Sequence, residues 1–321
     1  MRSRSLTTRR LGWIGLQLLL VVAGFGGSSA RAATLQWKFQ PGETLRYSMD
    51  QKTLTSVKGG PRDIKSTMSQ VIDMEWVVKE VGTDGLASLT QKVTRVRTKI
   101  ESAFGVFEFD SQEAKDPEGP IAAGLVPLLR GLVGAEFSFK MNAQGEMSDV
   151  KVPEKMLESI KKSGSLGGNA GMFSEEGMKN MVVESSLAVP KEDLEKGKSW
   201  TRESKISMPP IGTMQLNKTY SYQGAETKDA KNLERIDLVT KVDIKLEPGN
   251  NIDMKVQSQE GKGSFFFDNV AGRIAESTVS EKLEMVFTLK VGDQESRIIQ
   301  GNETTTSMKL VKGPEADSTK K

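Results

Sequence analysis

Long stretches of this chain alternate between apolar and polar residues, and this alternation constrains the fold more than any other feature. In residues 68–78 the apolar side chains stand at even positions with charged ones between them, and residues 236–246 and 283–291 repeat the pattern. A period of two places one face on a core and the other in water, which is typical of antiparallel sheets. Residues 248–251, Pro-Gly-Asn-Asn, are typical of a hairpin turn. The strands exceed the usual ~5–6 residues, so the sheet must twist and curl.

Helical signals lie between the strand-rich parts. Pro120–Val133 is apolar apart from Arg130, as expected of a buried helix, and Pro127 should kink or break it. Pro153 suits the first turn of a second helix, and Ser174 could cap a third. The residues expected to share a face of that third helix are Met178, Met181, Val182 and Ser185. We therefore predict an α+β fold, with a large curved antiparallel sheet and a few short helices covering its concave face.

The same patterns divide the chain into successive parts. We expect a signal peptide at 1–32, an N-terminal β-rich half at 33–152, a helical and Gly/Ser-rich connection at 153–194, a C-terminal antiparallel half at 195–312, and a disordered tail at 313–321.

The first 32 residues predict export. Four arginines form a basic start, Leu11–Gly27 is apolar apart from Gln17, and Ala30-Arg31-Ala32 matches the small-residue pattern of a signal-peptidase site. A retained anchor is the alternative, but a spanning helix needs about 20 apolar residues. Thr8-Arg9-Arg10 leaves the twin-arginine route open beside the general one. We expect cleavage before Ala33, a periplasmic or extracellular location, and no stable membrane span after cleavage.

The chain contains no Cys and no His, and this restricts its chemistry. Metal sites built on those ligands and Ser-His-Asp or Cys-His nucleophiles are excluded. The side chain best suited to proton transfer near neutral pH is also missing. We therefore predict a protein that is not an enzyme and that holds no metal and no cofactor.

The charge balance argues against nucleic acid as a partner. The chain has 45 Lys and Arg residues, five of them arginines within 1–32, which leaves 40 basic against 42 acidic residues in the remainder. A nearly neutral surface of mixed sign lacks the basic stripe that nucleic acid requires.

Several short motifs are better explained by structure than by catalysis. Gly197-Lys198-Ser199 lacks the earlier glycine of a phosphate-binding loop and predicts a turn into a strand. Ser159-Ile160-Lys161-Lys162 has a Ser-x-x-Lys spacing but fits the end of a solvated helix. Carboxylate pairs at Asp237/Asp243 or Asp253/Asp268 leave a carboxylate-based hydrolase as a remote alternative.

Several segments resemble a bacterial family of exported proteins with no assigned function. These are Leu35–Phe39, Pro41–Tyr47, Gly197–Trp200 and Phe267–Gly272. The resemblance implies a β-rich exported protein across most of the mature chain, and it supplies no catalytic residues.

A Met-bearing curved sheet beside a nearly all-apolar helix could enclose a cavity. We therefore expect an exported, non-enzymatic protein that binds a lipid or another apolar or amphipathic partner, which could also be an envelope protein. The predicted lining residues are Leu125, Leu128, Leu129 and Leu132. The main alternative is a structural or protein-interaction module of the cell envelope with a filled core.

Overall fold

The structure is a computed structural model that describes residues 32–60, 62–162, 174–208, 212–247, 252–291 and 294–312. Nearly all of the predicted signal peptide, the Gly/Ser-rich link after residue 162, the turn at 248–251 and the tail from residue 313 lie outside the described residues. Residues 31–321 group into one compact unit.

The described residues contain twelve strands. They are β1 (Thr44–Lys58), β2 (Ile64–Val81), β3 (Ala87–Ser102), β4 (Gly105–Asp110), β5 (Glu136–Met141), β6 (Met147–Lys151), β7 (Ser199–Met208), β8 (Gly212–Lys228), β9 (Lys231–Leu246), β10 (Ile252–Asp268), β11 (Arg273–Val291) and β12 (Gln294–Val311).

The strands form one open antiparallel sheet in the order β6-β5-β3-β2-β1-β12-β11-β10-β9-β8-β7, and β4 pairs with the part of β3 that β5 leaves free. Most neighbours follow each other along the chain, as hairpins do. The pairing of β1 with β12 is different, because it joins the first strand to the last. The predicted α+β fold with a large antiparallel sheet is confirmed.

Alternation of the side chains gives the sheet two distinct faces. On β2, Ile72, Met74, Trp76 and Val78 are buried, and the residues between them are at least partly accessible. We call the face that carries Trp76 the inner face and the opposite one the outer face. The buried inner-face residues cluster towards one end of the long strands, so the core fills only part of the sheet's length.

Two glycines in β10 allow the sheet to bend. A Cβ on Gly261 would press against Thr240 of β9, and a Cβ on Gly263 would press against Thr278 and Val279 of β11. β-Bulges interrupt the β10–β11 register at two places, between Val256 and Ser258 and between Phe266 and Phe267. Bulges and glycines are the usual means by which a long sheet curves.

Trp37, in the segment before β1, joins the two sides of the curved sheet. Its ring lies 6.3 Å from Trp76 of β2 and 5.6 Å from Phe267 of β10, measured between ring centroids. These two strands are separated by three others in the sheet order. The Trp37 side chain is 3% exposed, and its indole Nε1 donates to the Leu187 carbonyl at 3.0 Å. One contiguous core therefore includes residues from both halves of the chain.

Three helices accompany the sheet in the described ranges: α1 (Pro120–Leu132), α2 (Glu154–Lys162) and α3 (Glu175–Glu184). The α1 helix packs against α2 and reaches β4, and α3 contacts both β6 and β7. Because β6 and β7 are the two end strands of the sheet order, α3 lies between the ends of the curled sheet. Within the described parts of the chain, each helix is too short or too polar to cross a membrane.

The helices confirm three sequence predictions and correct two details. Pro120 stands at the start of α1, Pro153 precedes α2, and the Ser174 side chain caps α3 by accepting from the Gly177 N–H at 3.0 Å. However, α1 runs through Pro127 as one helix and is not broken there. Met181, which was expected to share a face with Met178 and Val182, is 50% exposed, whereas those two residues are buried.

Candidate functional site

The four leucines predicted to line a cavity lie on α1, and most of them contact the core. Leu129 is buried, and Leu125 and Leu132 are half-buried against the same core. Leu128 is also half-buried. At the end of the helix, Gly131 approaches α2 so closely that a Cβ there would overlap the Ser159 side chain. The apolar side of α1 is therefore part of the packed interior.

The loop between β4 and α1 is acidic, and its charges are bound by arginines. Arg130 donates to Asp116 at 2.7 Å and lies 4.9 Å over the Phe109 ring. Arg95 donates to Asp110 at 2.5 Å, and this bond is the main reason that the pKa of Asp110 is lowered to about 2. Within the described ranges, no group of three or more acidic side chains is arranged to hold a metal ion.

The carboxylates considered for catalysis do not come together. Asp237 and Asp243 lie on the outer face of β9, where Arg235 donates to Asp237 at 2.9 Å. Asp253 pairs with Lys255, and Asp268 accepts from the Ala271 N–H in the turn after β10. These contacts give Asp237, Asp253 and Asp268 structural roles, and Asp243 is an exposed residue of the outer face.

Two other motifs also have structural roles. Gly197 has a φ of 90° in the turn that leads into β7, as predicted. The Ser159 hydroxyl donates to the Lys155 carbonyl at 2.8 Å, inside α2.

A depression of about 450 Å³ crosses the distal ends of β1, β2, β10, β11 and β12. Its lining includes Ser56 and Gly301, which are opposite each other in the register, and the ion pair of Lys282 with Glu303 at 3.3 Å. These charges already neutralise one another, so the depression offers little that would select a ligand.

The most distinctive surface is a group of nine inner-face residues on three neighbouring strands, which we call the β7–β9 patch. Register pairing arranges it in three rows: Arg202, Lys218 and Thr240; then Ser204, Leu216 and Val242; then Ile206, Met214 and Ile244. The first row follows directly on a row formed by Trp200, which is partly buried, and by Tyr220 and Leu238, which are buried.

Five members of the β7–β9 patch are apolar and lie outside the contiguous core. Ile206 is 9% exposed, and Met214, Leu216, Val242 and Ile244 are half-buried. The backbone pairing between β9 and β10 ends before Val242. There the Gln259 side chain replaces the backbone of β10, donating to the Val242 carbonyl at 2.9 Å and accepting from the Val242 N–H at 2.6 Å. The four half-buried residues form a partly accessible apolar surface on the inner face, and Ile206 is buried beside them.

The first row of the patch carries two cations and one nearby carboxylate. Lys218 Nζ lies 2.8 Å from Glu184 Oε2 and donates to the Glu184 carbonyl at 3.0 Å. Arg202 lies 3.7 Å from the same carboxylate and donates to the Ser186 and Val183 carbonyls at 3.4 Å each. Because Glu184 ends α3, the cations also interact with the negative end of the helix dipole.

Two hydroxyls of the patch are buried and have no hydrogen-bond partner among the residues that the structure describes. Thr240 is 5% exposed, and its Oγ1 has no partner; the Ser204 Oγ is likewise unpaired. Buried polar atoms are normally satisfied, so such an atom in a native structure calls for an explanation. Below them, burial raises the pKa of the Tyr220 hydroxyl to about 12, an effect opposed by Arg202 and reinforced by Glu184. The base of the patch is thus a poorly solvated environment.

Sequence reasoning did not find this patch. The alternation of β8 and β9 was visible, and Lys218 stands at a position that shares the parity of Leu216 and Tyr220. A lysine on the apolar face of a strand was the available signal. Only the tertiary structure shows that Lys218 lies beside Arg202, Glu184 and Thr240.

The model of a family of unknown function (DUF6263) matches residues 84–265, which is more than half of the chain. This confirms the resemblance to a family without an assigned function. No curated protein matches the chain.

Two solved structures are similar over most of this chain. Lipovitellin, in a structure concerned with its lipid–protein interactions, is similar with a TM-score of 0.43 and 15% identity, over 88% of this chain and 26% of that one. This chain therefore spans about a quarter of the lipovitellin chain. An outer membrane channel from Pseudomonas putida F1 has a TM-score of 0.22 and 8% identity, over 88% of this chain and 98% of that one. Both scores are too low to indicate what this chain binds.

Proposed function

From the premise that the chain belongs to this family of unknown function (DUF6263), we propose that it is an exported, non-enzymatic protein that binds an apolar or amphipathic partner. The proposed binding surface is the β7–β9 patch on the inner face of the sheet. The observation that carries the proposal is a set of five apolar side chains in register on three strands, four of which are partly accessible.

The sheet is a better location for binding than the helix predicted from sequence. Leu125, Leu129 and Leu132 already contact the core, so a ligand would have to displace packed side chains there. On the patch, Met214, Leu216 and the residues beside them need no such displacement. Covering about 200 Å² of apolar surface would contribute about 5 kcal/mol before association costs are subtracted.

If the protein is exported, its partner lies outside the cytoplasm. Export in cleaved form can be tested by mass spectrometry. The intact mass of protein from the exported fraction should correspond to a chain that begins at Ala33 or within a few residues of it. The Ala33 backbone forms two hydrogen bonds with that of Leu194, at 3.0 and 2.9 Å. Cleavage before Ala33 would keep all four atoms of these bonds. A mass that includes residues 1–32, in protein that fractionates with membranes, would refute export in cleaved form.

A neutral apolar dye, N-phenyl-1-naphthylamine, tests the binding surface directly. Val242 and Val239 lie on the same strand, the first on the inner face and half-buried, the second on the outer face and 50% exposed. We expect the native protein to bind the dye. Val242→Asp should weaken dye binding about tenfold or more, because the bound dye would remove water from the new carboxylate. Val239→Asp should leave dye binding unchanged, because its carboxylate stays in water.

Circular dichroism of both variants would establish that the fold is intact. Failure of the native protein to bind the dye, or equal affinities in the two variants, would contradict the proposal. The first result would leave the structural or protein-interaction module of the cell envelope as the remaining explanation.

A further inference from the structure

We propose that the base of the β7–β9 patch binds the carboxylate head group of a single-chain amphiphile, such as a fatty acid. The inference rests on the proposed function and deepens it, because it names the ligand class. Arg202, Lys218 and Thr240 would hold the head group, and the outer two rows of the patch would receive the acyl chain.

The charge at the base of the patch favours an anion. Arg202 and Lys218 share one carboxylate, that of Glu184, so this group of three carries a net charge of +1. All three side chains are largely buried, with 20%, 14% and 13% of their surface exposed. Little water is therefore available to solvate the extra positive charge, and an anion placed beside it is screened only weakly.

Arg202 has bonding capacity to spare. The Glu184 carboxylate is 3.7 Å away, and the two carbonyls that Arg202 reaches are at the long end of the hydrogen-bond range. A guanidinium offers five N–H donors in a fork that matches a carboxylate. Lys218, by contrast, is held tightly at 2.8 and 3.0 Å, so it contributes mainly its charge.

The unpaired hydroxyls provide the second, independent indication of a ligand. Thr240 stands directly opposite Lys218 in the β8–β9 register, and its Oγ1 is buried without a partner. Ser204 lies on β7, two residues beyond Arg202 and opposite Leu216. Hydroxyls can donate to carboxylate oxygens, so a head group at the base of the patch would satisfy the Thr240 hydroxyl. Within the part of the chain that the structure describes, neither hydroxyl has a hydrogen-bond partner.

The dimensions of the patch suit an acyl chain of moderate length. The first and third rows are four residues apart along each strand, which corresponds to about 14 Å at about 3.4 Å per residue. The next inner-face acid in the direction of β11 is Glu281, which is separated from Thr240 by Gly261 of β10. Its distance from Thr240 is about 10 Å, or two strand spacings, so it does not occupy the proposed head-group position.

A matched pair of ligands separates this inference from the proposed function. Dodecanoate and dodecanol have the same chain, but only the first carries a carboxylate, and calorimetric titration of the full mature chain would measure both. We expect dodecanoate to bind about tenfold or more tightly, because hydrogen bonds to charged groups are worth about 1.5–3 kcal/mol. This preference should fall as salt concentration rises.

Two variants test the residues. Thr240→Val keeps the shape of the side chain and should lower dodecanoate affinity about threefold to tenfold while leaving dodecanol affinity unchanged. Arg202→Met should remove most of the preference for dodecanoate. Lys205→Met is the control, since Lys205 is an exposed cation of β7 on the outer face. Thr240→Val should not lower the melting temperature, because its hydroxyl makes no bond in the folded protein.

The outcomes distinguish the two claims. Equal affinities for dodecanoate and dodecanol would overturn the head-group site and leave apolar binding intact. A preference for dodecanoate that persists in both Thr240→Val and Arg202→Met would overturn it as well. Absence of binding by either ligand and by the neutral dye would overturn both claims.

Discussion

At the scale of single residues, Gly145 shows how closely the core is packed around Trp37. Gly145 has a φ of 82°, and a Cβ there would overlap the Trp37 indole and the Leu187 carbonyl. These are the two partners of the indole hydrogen bond. Gly42 has the same φ of 82° but no neighbouring atom within 4 Å of a Cβ position. An alanine at Gly42 would therefore cause backbone strain alone, whereas an alanine at Gly145 would cause backbone strain and steric overlap.

We predict that Gly145→Ala destabilises the protein more than Gly42→Ala. Both substitutions place a Cβ in the left-handed region, at a cost of about 1–2 kcal/mol. Gly145→Ala adds overpacking of about 1–3 kcal/mol, because Trp37 must move. Urea unfolding of both variants, followed by circular dichroism, measures the difference. Equal losses of stability would mean that Trp37 adjusts freely and does not join the two sides of the sheet rigidly.

The Arg95–Asp110 pair predicts a defined acid response. The pKa of Asp110 is lowered from 3.8 to about 2, first by its bond to Arg95. A depressed carboxyl pKa stabilises the fold above the unfolded value, and this contribution is lost as the pH falls through the folded value. We therefore expect the stability difference between native protein and Asp110→Asn to shrink between about pH 4 and pH 2. Thermal melts across this range test it, and a constant difference would argue against the pair.

At the scale of elements, α1 behaves as part of the core. Leu129 is 6% exposed, whereas Leu128 is half-buried. We predict that Leu129→Trp lowers stability by about 1–3 kcal/mol through overpacking, and that Leu128→Trp is tolerated better. Melting temperatures of both variants provide the test. An unchanged melting temperature in Leu129→Trp would show that space for a ligand exists beside α1, as the sequence suggested.

At the scale of the whole molecule, one core joins strands from both ends of the chain. β1 pairs with β12 over thirteen residue pairs, from Arg46 to Lys58, and Trp37 contacts both β2 and β10. Unfolding of one half of the sheet would therefore expose apolar surface of the other half to water.

We predict that the protein unfolds in one cooperative transition. Tryptophan fluorescence, which reports on Trp37, Trp76 and Trp200, should change at the same urea concentration as far-ultraviolet circular dichroism. Separate midpoints for the two signals would indicate that the N-terminal and C-terminal halves are independent folding units.

The fold class could be predicted because its signals are local. The alternation in residues 68–78 and 236–246 reports the two faces of a strand wherever the strand lies in the sheet. The same is true of the α3 cap, since Ser174 bonds an amide three residues away. Pro127 and Met181 were misjudged because helix continuity and exposure depend on neighbours that the local pattern does not reveal.

The sequence by itself determined that this chain would form a long, curled antiparallel sheet with a few short helices. Only the tertiary structure decided that β1 pairs with β12, that Trp37 links β2 to β10, and that Arg202, Lys218 and Thr240 share a row. The physical reason is that alternation specifies a face but not a register or a partner. A patch built from three strands exists only when each strand has its pairing partner and its register. Partner and register depend on how the whole core packs.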